Sequence, residues 1–243
     1  MGFVRVIAHR GYSEAYAENT LKAFEEAAKV GADAVETDLQ VTKDGVVVLN
    51  HDHCIASVPT CELEYRQAKE LKPDLATLVE LLEAFKNWEM EFNLEVKDRR
   101  VVSPLVRILL ERPECADRSI VSSFDGILLK EFKELFPRVR TSLLLGTVLE
   151  ADDMVAMAKN YGCDFVHPCW ESRGYYPHEL LPLRTVEEIK KNGLEVIVWH
   201  EERPEELLCL LELPVYGVCT NDPALLVQLR SGRGVGRGSG RKV

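Results

Sequence analysis

The sequence predicts a single α/β barrel of the TIM, (β/α)8, type, and three observations predict it. β-rich runs alternate with helical patterns along the whole chain, and eight such runs with helical stretches between them fit into 243 residues. Several runs end in polar or charged side chains, and the C-terminal strand ends are where barrels of this type carry their chemistry. The competing doubly wound sheet lacks its mark, since no GxGxxG follows any strand. Beyond the βα unit itself there is no internal repeat, which excludes a solenoid.

The first strand is expected at 4–9, "VRVIAH", ending in His9 and Arg10. A helix follows in "ENTLKAFEEAAKVG": Asn19 or Thr20 can cap its start, Leu21, Phe24, Ala27 and Ala28 have helical spacing, and Gly31 closes it. Glu18 and Asn19 either cap this helix or support a site. The second strand, 33–41, carries Glu36 and Asp38 on one face, because side chains alternate along a strand. "KDGV" then predicts a two-residue Asp44-Gly45 hairpin turn and a returning arm at 46–51, a ninth strand outside the barrel. In that register Asp38 faces His51 and Glu36 faces His53. Residues 52–76 break the βα rhythm and read as a short insert over the barrel mouth. The remaining strands are expected at 92–97, 119–124, 139–145, 164–168, 195–200 and 216–221. Helices are expected in "TLVELLEAFKNW", "SPLVRILLER", "GILLKEFKEL", "ADDMVAMAKNYG", "TVEEIKKNG" and "EELLCLLEL".

One domain is expected over 1–229. The last residues, "SGRGVGRGSGRKV", are Gly/Arg-rich, and 230–243 read as a disordered, solvated tail. Net charge is −10, and removing the four basic residues of the thirteen-residue run "SGRGVGRGSGRKV" leaves −14 on the rest. An acidic body argues against nucleic acid as a partner and against stable association with anionic membranes. No apolar run reaches the length of a membrane span and the N-terminus lacks a signal-peptide pattern, so a cytoplasmic protein is expected. The seven cysteines form no CxxC pair, which points to reduced thiols without a zinc or redox motif. There is no GxSxG elbow.

The strand ends gather Glu36, Asp38 and Glu95, three carboxylates from neighbouring strands. Oxygen-only ligation suits one hard divalent cation, Mg²⁺ or Ca²⁺, over zinc. Arg10 and Lys97 add two positive charges, so the set can accept a further negative group such as a phosphodiester. His9 and His51 can serve as an acid–base pair, with either in either role. Trp199, at the end of the seventh strand, can line a pocket wall, whereas His53, His167, His178 and His200 read as structural.

The run "AHRGYSEAYAENTLKAFEEAAKVGADAVETDLQVTKDGVVVLNHD", with "NLEVK", "IVSSFD" and "VYGVCTNDP" after it in order, resembles the glycerophosphodiester phosphodiesterase family over residues 4–225. HRG, ENT, the ExD pair, TKDG and HD occurring together make the resemblance specific. It implies a TIM barrel that hydrolyses glycerophosphodiesters to an alcohol and glycerol phosphate. By that resemblance the metal ligands fall on Glu36, Asp38 and Glu95, the catalytic histidines on His9 and His51, and the phosphate-contacting residues on Arg10 and Lys97. In some members the substrate's own hydroxyl attacks phosphorus before water opens a cyclic phosphate. The chain departs from the family pattern at Ala17, where proline is usual, and in the segment after HD. It departs again at "WHEE", where Trp-Thr-x-Asn is usual, and at Asn221, where aspartate is common. A lysophospholipid-cleaving relative and a catalytically silent phosphodiester-binding barrel are the alternative readings.

Overall fold

A computed structural model describes residues 3–169 and 174–236, with the side chains of 233–236 left out. The strands are β1 (Arg5–His9), β2 (Ala34–Val41), β3 (Val47–Leu49), β4 (Cys54–Ile55), β5 (Val58–Pro59) and β6 (Glu91–Val96). They continue with β7 (Ser119–Ser123), β8 (Arg140–Leu145), β9 (Phe165–Pro168), β10 (Glu195–Val198) and β11 (Gly217–Thr220). The helices are α1 (Leu21–Lys29), α2 (Tyr65–Leu71), α3 (Leu78–Ala84), α4 (Val102–Leu110) and α5 (Pro113–Ala116). After them come α6 (Gly126–Leu135), α7 (Ala151–Asn160), α8 (Leu183–Lys191), α9 (Pro204–Leu210) and α10 (Pro223–Gly236).

Eight parallel strands run in the order β1-β2-β6-β7-β8-β9-β10-β11, and β11 pairs back with β1 to close the barrel. The TIM barrel expected from the sequence is therefore the fold, with β3 lying antiparallel on β2 outside the closed ring. Every residue of β2 is buried, as expected for a strand covered by side chains inside and by helices outside. The larger core lies between strands and helices. A second, smaller cluster of Ile7, Ala34, Ile120, Phe165, Ile197 and Cys219 fills the barrel interior. At the N-terminal ends, Tyr216 donates to Glu91 at 2.5 Å and accepts from Arg140 at 2.9 Å, a polar closure of the barrel floor.

The hairpin differs from expectation. Of its turn residues only Gly45 has positive φ, +83°, whereas a two-residue type I′ turn needs two such residues. Thr42 instead pairs with Val46 (N–H to O, 3.0 Å), and the loop has three residues, Lys43, Asp44 and Gly45. The Thr42 hydroxyl accepts Val46 N–H at 3.0 Å and contacts Asp44 at 2.6 Å, which fixes this longer loop. The register moves by one: Val41 faces Val47 and Leu39 faces Leu49. Asp38 consequently receives the backbone N–H of Asn50, not a facing His51. β3 ends at Leu49, so His51 is placed by the loop that follows it and not by the pleat.

The insert between Asp52 and Ala76 forms the β4–β5 hairpin, a 3₁₀ turn at Thr60–Glu62 and α2. Val48, Ile55, Leu63, Ala68 and Leu75 give it a small core of its own. α10 was not among the expected helices. It continues past residue 229 to Gly236 and completes the eighth βα unit, while the rest of the expected tail, 237–243, lies outside the described residues. Arg230 on α10 ties it to the residues just before β1 and β2, through the Val4 carbonyl at 3.0 Å and an ion pair with Asp33.

Candidate active site at the barrel mouth

The segment after β1 turns sharply before α1. Arg10 takes φ +56° and Gly11 φ +84°. A Cβ on Gly11 would sit 2.7 Å from the Ala23 backbone, so the helix can come this close only over glycine. Thr20, not Asn19, caps α1, accepting Ala23 N–H at 3.2 Å. Asn19 is thereby free to reach β2. Its amide donates to Asp38 Oδ2 at 2.9 Å, and its oxygen accepts the Thr37 hydroxyl at 2.7 Å and the Asp38 N–H at 3.3 Å. Glu18 holds Arg10 at 2.8 Å. Both residues support the site rather than cap the helix.

Barrel register brings the acids together. His9 pairs with Glu36 on adjacent strands, Glu36 with Asn93, and Asp38 with Glu95. One ligand atom from each of Glu36, Asp38 and Glu95 lies within 4.8 Å of the others. Arg10 Nε lies 3.2 Å from Asp38, and Lys97 lies 2.9 Å from Asp38 and 3.3 Å from Glu95. Burial opposes ionisation of Asp38, but Lys97, Arg10 and the Asn19 amide outweigh it and hold its carboxyl below the usual range. Glu36 is pushed well above the usual range by burial and by Asp38 and Glu95. Glu95 is raised by burial and Asp38. The two basic side chains thus favour Asp38, and Lys97, which Glu95 shares, does not offset the burial of Glu95.

His9 sits at the end of β1 with Nδ1 2.7 Å from Asn221 Oδ1 and Nε2 3.9 Å from Glu36. Burial, with Arg10 and His200 alongside, pushes it down to about 3, so the ring is neutral at pH 7. As placed, Asn221 accepts the Nδ1 proton and leaves the Nε2 lone pair toward Glu36. Below these groups a cavity is lined by His9, Glu36, Asn93, Ser122, His167 and Trp199, among others. Polar atoms of Asn93, Ser122 and Ser142, with His167 Nδ1, are buried without a hydrogen-bond partner among the described residues. A second cleft, bordered by His53, Glu95, Lys97, Phe124 and Asp125, opens from the same carboxylate.

Of the side chains expected at the site, His9, Arg10, Glu36, Asp38, Glu95 and Lys97 form one connected cluster. Trp199 lines the cavity and donates to the His167 carbonyl at 3.0 Å. His51 stands apart: it is about two-fifths exposed, 2.9 Å from Asp52, and not among the residues lining the two clefts. Sequence reasoning assigned no role to Asn93 or Ser13, placed Asn221 only at a strand end, and read His53 and His200 as structural. Asn221 and His200 were visible as departures from the family pattern; Asn93 had no signal beyond a polar residue in a strand.

Barrel and acidic cluster together define a TIM-barrel enzyme with a cation-ready carboxylate centre at its mouth. The chain matches the Glycerophosphoryl diester phosphodiesterase family over residues 9–225, and it belongs to that family. It is accordingly a phosphodiesterase hydrolase. It is 29% identical to a glycerophosphodiester phosphodiesterase of Caldanaerobacter subterraneus subsp. tengcongensis, over 92% of this chain and 96% of that one. A crystal structure of a glycerophosphodiester phosphodiesterase from Thermotoga maritima superposes with a TM-score of 0.78 at 29% identity, covering 94% of this chain and 99% of that one. An Oleispira antarctica phosphodiesterase solved with its product sn-glycerol-3-phosphate shares the fold at TM-score 0.79 and 21% identity, covering 93% and 96% of the two chains.

Proposed function

We propose that this protein hydrolyses glycerophosphodiesters to an alcohol and glycerol phosphate with a divalent cation held by Glu36, Asp38 and Glu95. One observation carries the reading: Glu36 Oε1 is buried without a hydrogen-bond partner among the described residues, within a three-carboxylate cluster that also borders His9. An oxygen-only donor set fits Mg²⁺ or Ca²⁺. When bound, the cation supplies Lewis-acid polarisation of a phosphoryl oxygen and eases ionisation of the attacking hydroxyl.

The chain's own residues do the rest. Arg10 and Lys97 bind the phosphate oxygens and offset the charge of the diester. His9, neutral and with its Nε2 lone pair open, takes the proton of the nucleophile. His51, oriented by Asp52, returns a proton to the leaving alkoxide from the solvent side. Trp199 and Phe124, in edge-to-face contact at 5.6 Å, wall the glycerol side of the cleft.

A second reading has one observation in its favour. Phe124 and Val148 are each half exposed at the mouth, and an apolar groove of Val148, Leu149, Pro168, Leu180 and Leu181 lies at the ends of β8 and β9. Such a rim can take the acyl chain of a lysophospholipid. No helix among the described residues is long and apolar enough to cross a membrane.

The test incubates the purified protein with glycerophosphocholine, glycerophosphoethanolamine, glycerophosphoglycerol and a lysophospholipid. Released glycerol phosphate, or for the lysophospholipid the released head-group alcohol and lysophosphatidic acid, is measured with Mg²⁺, Ca²⁺ or EDTA, beside Glu36→Ala. Metal-dependent release from the soluble diesters, abolished in the variant, is the expected result. Turnover of the lysolipid alone moves the assignment to the lipid substrate. Silence on every substrate by folded protein overturns the enzymatic reading in favour of a phosphodiester-binding barrel.

A further inference from the structure

We infer that Glu202 and His200 are positioning residues for His9, fixing both the plane of its ring and the nitrogen that carries its proton. The inference rests on the assignment of His9 as proton acceptor.

Both residues lie in the loop after β10, in the "WHEE" stretch where the chain departs from its family's pattern. The His200 ring stacks on His9 with centroids 4.7 Å apart and planes inclined by 22°. His200 Nδ1 lies 3.1 and 3.2 Å from the two carboxylate oxygens of Glu202. The first of those oxygens, Oε1, also accepts the backbone N–H of Asn221 at 2.8 Å. Asn221 in turn meets His9 Nδ1 at 2.7 Å. One carboxylate therefore anchors the group on the face of His9 and the group at its edge. Burial opposes ionisation of Glu202, and its bonds to His200 and Asn221 outweigh that burial.

The two contacts restrain different freedoms. A histidine ring turns easily about its outer torsion, where rotamer wells are broad. Stacking limits tilt but does not distinguish the two nitrogens. The Asn221 oxygen does distinguish them, since it accepts only a protonated Nδ1 and so leaves Nε2 as the base. Ser13, with its hydroxyl 2.9 Å from the same oxygen, braces the amide from the other side. A general base of this kind contributes about 10²–10⁴-fold to rate, and only in the correct tautomer and orientation. Among the described residues, the contacts of Glu202 and His200 given above lead to His9 and Asn221 and not to the carboxylate cluster. Their loss acts through His9.

The experiment compares wild type with Glu202→Ala, Glu202→Gln and His200→Ala in the full-length protein, with Mg²⁺ present. Two quantities are read: steady-state kinetics on glycerophosphoethanolamine, and the ¹⁵N shifts of the ring nitrogens in histidine-labelled protein. Wild-type His9 is expected to carry its proton on Nδ1. Glu202→Ala is expected to mix the tautomers and lower kcat about tenfold or more, with KM unchanged within about twofold. Glu202→Gln keeps an oxygen for both N–H groups and is expected to recover most of kcat and the wild-type tautomer. His200→Ala is expected to lower kcat with the tautomer retained. A wild-type His9 protonated on Nε2 overturns the inference, and so does a Glu202→Ala protein with unchanged kcat and unchanged tautomer. Should Glu202→Ala fail to fold, Glu202→Gln and His200→Ala decide it, full kcat in His200→Ala removing that residue's part. A fully active His9→Gln protein refutes the base assignment, while the ¹⁵N shifts still report whether Glu202 selects the tautomer.

Discussion

Replacing Asn19 by alanine is expected to cost at least about 4 to 5 kcal/mol of stability, the lower end of each contribution below, and to loosen the proposed cation site in the same stroke. Asn19 is 1% exposed and takes φ +56°. Its amide donates to the Asp38 carboxylate, and a hydrogen bond to a charged group is worth about 1.5–3 kcal/mol. Truncation also leaves the Thr37 hydroxyl and Asp38 N–H buried without that acceptor, at about 1–3 kcal/mol each where no other partner replaces it. An alanine held in the left-handed region adds roughly 1–2 kcal/mol. For a domain of this size each kcal/mol moves the melting temperature by about 2–4 °C, so a fall of roughly 10–20 °C is expected. Asn19→Gly removes only the backbone strain and should recover about 1 kcal/mol of the loss. Asn19→Asp keeps both accepting bonds but sets a second carboxylate against Asp38. Melting curves in EDTA measure the stability term. The Mg²⁺ concentration giving half-maximal activity, expected to rise about 10–100-fold in Asn19→Ala, measures the ligand-orienting one. A melting temperature within about 3 °C of wild type, or an unchanged Mg²⁺ requirement, would refute the reasoning.

Lys97→Met removes a charge bonded to both Asp38 and Glu95, and kcat/KM for a soluble diester is expected to fall about 100-fold or more. Steady-state kinetics check this, and an unchanged kcat/KM would show Lys97 to be only a structural ion-pair partner. His9 and His167 are both pushed down to about 3, chiefly by burial. The unfolded chain therefore binds more protons between pH 6.5 and about 3. The stability that each histidine contributes is complete above 6.5 and is lost as pH falls toward 3, roughly 3 to 5 kcal/mol apiece. Glu36 and Glu95, raised in the folded state, work in the opposite sense on the acid side, so His167→Gln isolates one histidine. Urea midpoints measured against pH should fall less steeply in that variant, and parallel curves would contradict a neutral, buried His167. In the β4–β5 turn, Ala56 and Ser57 take φ +48° and +66°, a pair of left-handed residues that Asn-Gly would adopt without strain. Ala56→Asn with Ser57→Gly is expected to stabilise the protein by about 1 to 2 kcal/mol, seen as a higher melting temperature with unchanged kinetics. No gain would mean that the turn relaxes around Ala-Ser.

The barrel was legible because its signals are local. Each strand is a short β-rich run, each of the seven expected helices has a 3.6-residue stripe, and counting eight strands needs no knowledge of contacts. α10 escaped because Gly232, Gly234 and Gly236 weaken helical propensity, and its packing on β1 supplies what the sequence lacks. The hairpin register failed for a related reason. Asp44-Gly45 satisfies a two-residue turn on paper, but the Thr42 hydroxyl bonds across a three-residue loop and shifts every partner by one.

By itself the sequence determined the fold class, the family, and the six charged or histidine side chains that meet at the mouth. Those follow from strand ends, because in a closed parallel barrel every C-terminal strand end points to one rim. The tertiary structure alone decided which partner each of those groups obtains. Lys97 and Arg10 go to Asp38, leaving Glu36 and Glu95 raised. Asn19, a candidate helix cap, instead holds the Asp38 carboxylate. Glu202, about 190 residues from His9 along the chain, reaches it through His200 and Asn221. Such choices depend on distances of an ångström or less between side chains far apart in sequence, and on burial that strengthens one pairing over another. Neither is written in residue type or spacing.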